Sequence, residues 1–273
     1  MANVPARDVQ FRNPPVVEVV LSVQFEPLHE LDGAHIGLYW AEIKEKFPHA
    51  QQHPRLEPVV ERFDTSDFNP RFVRVELGAT VPRYWFLNQK QSELVQVQDD
   101  RFIHNWRKVA DPYPRYEGIR QTFAAELAQF ERFLHREGIG QINPQLAEVS
   151  YINHLGPITS PFPFSRPDEV LNLWSPGEGF GKPYIPETVE MRHRFVISEG
   201  SRKVGRLYVE LQPANRQPDR APIWLLVLTA RGLPLADGLE GALRFLDLGR
   251  REMLAAFISI TRRDLQDKWE RVQ

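Results

Sequence analysis

The chain has 273 residues, 42% of them hydrophobic and 26% charged, which is long and apolar enough to bury one large core or two small ones. It has no cysteine, so disulfides, thiol catalysis, iron–sulfur clusters and cysteine zinc sites are excluded. The net charge of −2 demands no polyanionic partner. No apolar run approaches the ~18 residues that cross a bilayer, and Met1 to Asp8 form no signal core, so a cytoplasmic protein without membrane contact is expected.

In chain order, Asn13-Pro14-Pro15 precedes a β-rich run, Val16 to Phe25, in which Val17, Val19, Leu21, Val23 and Phe25 share one face. Spacing then predicts a helix from Leu31 to Phe47, capped by Asp32 and stopped by Pro48. Strands are expected near 58–64, 71–78, 83–88, 93–98 and 101–106. A long helix from Arg115 to His135 follows, with Ile119, Phe123, Leu127, Phe130 and Leu134 in one stripe and Gly138 as its C-terminal cap.

The order then recurs. Leu146 to His154 is strand-like, and strands are expected near 187–198, 203–212 and 222–230. The last is apolar on both faces from Ile223 to Leu228, as a central strand requires. A closing helix from Leu239 to Ile260 carries Leu243, Leu246, Met253, Leu254 and Phe257. Glu18-Val19 and Pro27 recur as Glu148-Val149 and Pro157, at a constant offset of 130. The expected fold is α+β: two tandem pseudo-symmetric halves, 1–140 and 141–273, each an antiparallel sheet covered by a long helix. That topology resembles TATA-binding-protein-like and helix-grip folds.

Three stretches also resemble a sporadically distributed bacterial protein family of uncharacterised function. They are Asn13-Pro14-Pro15-Val-Val-Glu18-Val-Val with Gln24-Phe-Glu26-Pro27, the middle run Phe102-Ile-His104-Asn105-Trp106-Arg107, and Phe257-Ile-Ser-Ile-Thr261 with Trp269. The resemblance implies a bacterial, cytoplasmic protein and carries no catalytic residue.

Charge is distributed in blocks. Residues 1–69 carry −5, 70–120 carry +3, 121–189 carry −4 and 190–231 carry +4. The basic blocks fall on expected strands. Alternation puts Phe102, His104 and Trp106 on one face and Arg101 and Arg107 on the other, and Arg192, Arg194 and Arg206 belong to strands of the second half. Interleaved basic and aromatic residues can hold phosphates and stack bases. They can equally be a core face backed by a solvated one. Pairing of either arginine set with Glu76, Glu190 or Glu210 would remove an anionic groove.

Residues 156–186 form a loop rich in proline and glycine, with Phe162, Phe164 and Trp174 as candidate contacts for the chain's own helices or for a partner. Within it, Gly177 to Lys182 lacks the Walker pattern: Pro176 replaces a required glycine, and Pro183 follows the lysine. His49 and His53 lie between prolines, and Asp64, Asp67, Asp99 and Asp100 suit turns as well as magnesium. No metal or cofactor is expected, and the lack of a catalytic motif leans against an enzyme.

The leading expectation is a non-enzymatic binding or adaptor protein acting with a co-encoded protein partner, through Arg101, Trp106, Arg107, Arg192, Arg194, Arg206, Phe162, Phe164 and Trp174. One alternative is a small-molecule or enzymatic helix-grip pocket lined by Tyr151, Asn153, His154, His193 and Tyr208. Nucleic-acid binding through the basic sheet face is a further alternative, not favoured.

Overall fold

A computed structural model describes residues 9–63, 82–109, 112–156, 164–175 and 186–272. The first half holds β1 (Gln10–Phe11), β2 (Val16–Phe25), α1 (Gly33–Ile43), β3 (His49–His53), β4 (Arg83–Leu87), β5 (Glu93–Gln98), β6 (Arg101–Arg107) and α2 (Arg115–Arg136). The second holds β7 (Pro144–Leu155), β8 (Met191–Glu199), β9 (Arg202–Asn215), β10 (Pro222–Gly232), α3 (Gly238–Ile260), α4 (Arg263–Lys268) and β11 (Arg271–Val272). Among the described residues nine strands form one antiparallel sheet, ordered β3-β4-β5-β6-β2-β7-β10-β9-β8. The chain is therefore α+β with a large antiparallel sheet. Both halves contribute to that sheet, and they meet where β2 pairs with β7.

The pleat assigns alternate residues to opposite faces. Val19, Leu21 and Val23 of β2 are wholly buried. They lie in register with Trp106, His104 and Phe102 of β6 and with Tyr151, Val149 and Ala147 of β7. The α2 rings of Phe123 and Phe130 pack on Phe102. Tyr39 of α1 meets Phe86 of β4 and Phe130 edge-on. Helix α3 lies over β7, β10 and β9. At Gly249 it approaches so closely that a Cβ would stand 2.9 Å from Ala230 and 3.0 Å from Val149. Helices α1, α2 and α3 thus cover one face, and among the described residues the opposite face carries no helix.

Local sequence explains the ends of the helices. The Asp32 carboxylate accepts from the Ala34 and His35 amides at 2.9 and 3.0 Å and starts α1. The helix stops at Ile43, earlier than expected, while Leu31 and Phe47 bury as flanking anchors. Gly138 takes a φ of +69°, and Ile139 N–H closes on Leu134 O at 2.9 Å, ending α2. The two ends of the described chain meet: β1 pairs with β11, and the Phe11 ring contacts Phe257 and Trp269.

Two expected strands differ from what is found. Residues 54–63 are extended but join no ladder, because Pro54 and Pro58 carry no N–H, and β3 takes the sheet edge instead. In β8, alternation puts Met191, His193, Phe195 and Ile197 on one face and predicts that this face is buried, but the burial is incomplete. Phe195 is 42% exposed, since β8 is an edge strand and α3 sits over the strands inside it. The strand expected at 71–78 lies outside the described residues.

Candidate binding site

A cavity of about 580 Å³ lies where β1, Pro14-Pro15, the start of α2 and the middle of α3 meet the sheet. That is within the ~300–1,000 Å³ typical of small-molecule pockets. Phe11, Val16, Leu228, Met253 and Phe257 supply apolar wall. Arg115 bends the chain into α2 with a φ of +66°, a left-handed conformation unusual for a side-chain-bearing residue, and its guanidinium holds Phe11 O at 2.9 Å.

The polar groups of the cavity are mostly donors. The Tyr113 and Tyr151 hydroxyls are 2.9 Å apart, so one proton bonds the pair together and the other remains to donate. Burial pushes both phenol pKa values up, which keeps both protonated. Tyr116 donates to Asp247 at 2.7 Å, and Arg120 pairs with the same carboxylate at 3.1 Å. Arg250 differs from these. Its guanidinium lies 4.9 Å from the Tyr151 ring centre and 5.9 Å from that of Tyr116. Among the described residues it has no hydrogen bond or ion pair, and its Nε is buried without a partner.

Of the residues expected to line a pocket, Tyr151 and Asn153 do so; His154, His193 and Tyr208 do not. His154 and Tyr208 fall on the helix-free side of the pleat, and His193 stacks near Phe195 on the edge strand. Sequence reading missed Tyr113, Tyr116 and Arg250. A signal was present for Arg250, which continues the buried stripe Leu246, Met253 and Phe257 at helical spacing.

The two arginine sets share the helix-free face. The register runs Ile103, Ser22, Glu148, Arg231, Arg206, Val196 across six strands, which puts Arg101, Arg107, Arg192 and Arg194 on that same side. Trp106 points the other way and is buried beside Tyr113, so it belongs to the core and does not join them. The arginines are engaged within the chain. Arg107 pairs with Glu18 at 3.3 Å and Arg192 with Glu210 at 3.2 Å. Arg194 covers the Tyr208 ring. Arg101 donates to Gln24 at 2.6 Å and to Glu57 O at 3.1 Å. Arg206 forms a buried pair with Glu61 and donates to Arg62 O at 2.6 Å.

Phe162 and the glycine-rich stretch 176–183 lie outside the described residues, as do Asp64 and Asp67. Phe164 packs edge-on against Trp224 at 5.3 Å, and Trp174 is half-buried. Nearby, Asn172 N–H bonds Ile260 O at 2.6 Å, so this part of the loop docks on the end of α3. Asp99 and Asp100 are both paired with Arg55. His49 and His53 sit four apart on β3, which separates them by about 13 Å. Among the described residues no three histidine, aspartate or glutamate side chains cluster as a metal site, and no helix is long and apolar enough to cross a membrane.

Fold and site together define an α+β chain whose helix-covered sheet encloses a tyrosine- and arginine-lined cavity. Comparison with models of known protein families finds no match, and comparison with curated proteins finds none.

Proposed function

We propose that this chain is a non-enzymatic binding protein whose cavity takes a small anion with an apolar body. The observation that carries the reading is Arg250: a guanidinium facing a partly apolar cavity, beside two tyrosine hydroxyls with a proton to spare, with no carboxylate hydrogen-bonded or ion-paired to it among the described residues, Glu117 acting on it only through space. A charged donor without a partner is costly, and a ligand carboxylate or sulfonate would remove that cost.

The fold reading that goes with this is an internal repeat of TATA-binding-protein-like or helix-grip type. An offset of 130 residues sends Val20 onto Ser150, and these two are register partners in the centre of the sheet, as a two-fold axis between antiparallel strands requires. On that axis β6 corresponds to β10 and α2 to α3, so the cavity sits where the two covering helices come together.

The test uses 1-anilinonaphthalene-8-sulfonate, an apolar anion that fluoresces on burial. It should titrate saturably with the full chain, and Arg250→Met should weaken it by tenfold or more, about 1.4 kcal/mol. The uncharged N-phenyl-1-naphthylamine should bind both proteins alike. Equal sulfonate affinity in the two proteins would sink the reading.

A further inference from the structure

The helix-free face is crossed by residues 54–63, an extended segment running across the strands. The bonds that hold it are mainly to its backbone. Gln98 takes Leu56 N–H and donates to Leu56 O, at 2.9 and 3.0 Å. Gln24 does the same to Val59, at 2.9 Å each way. Arg101 holds Glu57 O and Arg206 holds Arg62 O. Two side-chain amides that each close a ring with one peptide unit recognise an extended main chain whatever its side chains.

Two side chains of the segment are held specifically: Arg55 pairs with Asp99 and, at 3.1 Å, with Asp100, and Glu61 is the other. The Glu61 carboxylate receives Arg206 and the Tyr208 hydroxyl, the latter at 2.5 Å, with Arg231 at 3.8 Å. Burial and this carboxylate push the Tyr208 pKa up to about 12, so the hydroxyl keeps its proton and donates. Glu61 and Arg206 have side chains only 3% and 5% exposed. Apart from the Glu61 side chain the segment is shallow: its other residues are half-buried or exposed, and Val60 is 53% exposed. It joins no strand ladder. Elements with few buried apolar contacts open at the low end of the stability range.

We propose that the helix-free face is a groove for an extended peptide with one arginine and one glutamate at fixed positions, with residues 54–63 as its resident internal occupant. The occupant defines the ligand: a main chain clamped at two positions three residues apart, with a guanidinium one residue before the first and a carboxylate two residues beyond the second, as in Arg55, Leu56, Val59 and Glu61. A peptide of this kind from a protein partner would displace the internal segment. The site lies on the opposite side of the sheet from the cavity and does not depend on it.

The probe is a fluorescein-labelled peptide with the sequence of residues 54–63. The receptor is the full chain with residues 54–63 replaced by an equally long, flexible Gly/Ser segment, which loses Arg55, Glu61 and both prolines. Saturable binding is expected there, with affinity at least thirtyfold weaker in the wild-type chain, whose tethered segment competes at high effective concentration. Changing the peptide's second glutamate, the counterpart of Glu61, to glutamine should cost tenfold or more. No saturable binding to the folded replacement variant, or binding of oligo-dT in preference to the peptide, overturns the proposal. Should that variant fail to fold, Glu61→Gln in the full chain gives the answer. The Val59 amide should then exchange at least tenfold faster while β2 and β6 amides stay unchanged. Exchange that rises only together with the sheet, or does not rise, overturns it.

Discussion

Arg250→Met separates a functional arginine from a structural one. Two effects oppose each other. The substitution loses contacts with the Tyr151 and Tyr116 rings at 4.9 and 5.9 Å, worth about 0.5–1 kcal/mol each. It also removes a buried Nε that has no partner, which relieves about 1–3 kcal/mol. Methionine keeps an unbranched stem against the same apolar wall. The ligand-free chain should therefore lie between about 1 kcal/mol less stable and about 2 kcal/mol more stable than wild type, while sulfonate affinity falls. In a chain of this length that is a Tm between about 4 °C lower and about 8 °C higher, and urea denaturation followed by tryptophan fluorescence measures the stability directly. Arg206→Met is the control. It strips the partner from Glu61, whose side chain is 3% exposed, and should cost about 3 kcal/mol or more. A loss of 2 kcal/mol or more in Arg250→Met would refute the reasoning, because Arg250 would then be holding the fold together.

Gly232→Ala should be among the most damaging small changes. A Cβ there would meet Val204 O at 2.2 Å and the buried Phe245 ring at 2.3 Å, and neither can move away. About 3 kcal/mol and a Tm lower by roughly 6–12 °C are expected in a thermal melt. Glu126→Ala breaks a buried network in which Glu126 accepts from Lys46 at 2.7 Å and contacts His104 at 2.7 Å, at a cost of about 3 kcal/mol at pH 7. Burial acts to raise the Glu126 pKa, but His104 and Lys46 outweigh it, and the folded value lies below the ordinary 4.5. The folded state thus binds this proton less readily than the unfolded state. The stabilisation is present above the unfolded pKa and is lost as pH falls below it. The gap between wild type and Glu126→Ala should narrow from pH 6 to pH 3 in denaturation curves, and a gap that widens would contradict the assignment.

Much of the scaffold was legible because burial leaves a periodic trace. Strand β2 was read to the residue, β5 likewise, and the α2 and α3 boundaries to within one residue, since each carries apolar residues turned to the core. The failures have physical causes. The strand expected near 58–64 looks strand-like because it carries Val59 and Val60, yet the partners of residues 54–63 are glutamine and arginine side chains from four strands, which no local pattern reveals. The β8 face reads as buried because alternation reports a pleat without saying whether a helix reaches it. For the candidate site, Tyr151 and Asn153 were found because they sit on the covered face of a central strand. Tyr113 and Tyr116 were not, because they enter the cavity from a loop and a helix start whose position depends on the long-range bond from Arg115 to Phe11.

Arg206 and Arg250 show why composition pointed nowhere. Both arginines occupy positions where periodicity calls for, or tolerates, an apolar residue, and both count equally toward a net charge of −2. Arg206 is met by Glu61, which arrives from 145 residues away. Arg250 is met by aromatic rings that attract its charge but cannot accept the hydrogen bonds its fork offers. A buried cation that is fully matched ties elements together, and one that is matched only by π-faces keeps donors in reserve. The difference lies in which distant carboxylate the fold delivers, so it belongs to the tertiary structure. It also separates the two faces of the sheet. On the helix-free face the chain bonds its own anion to Arg206 through a shallow segment, and in the cavity the Asp247 carboxylate is taken by Tyr116 and Arg120 and bonds nothing of Arg250. An external anion would have to displace Glu61 to reach Arg206, whereas at Arg250 it would meet a buried Nε that has no partner.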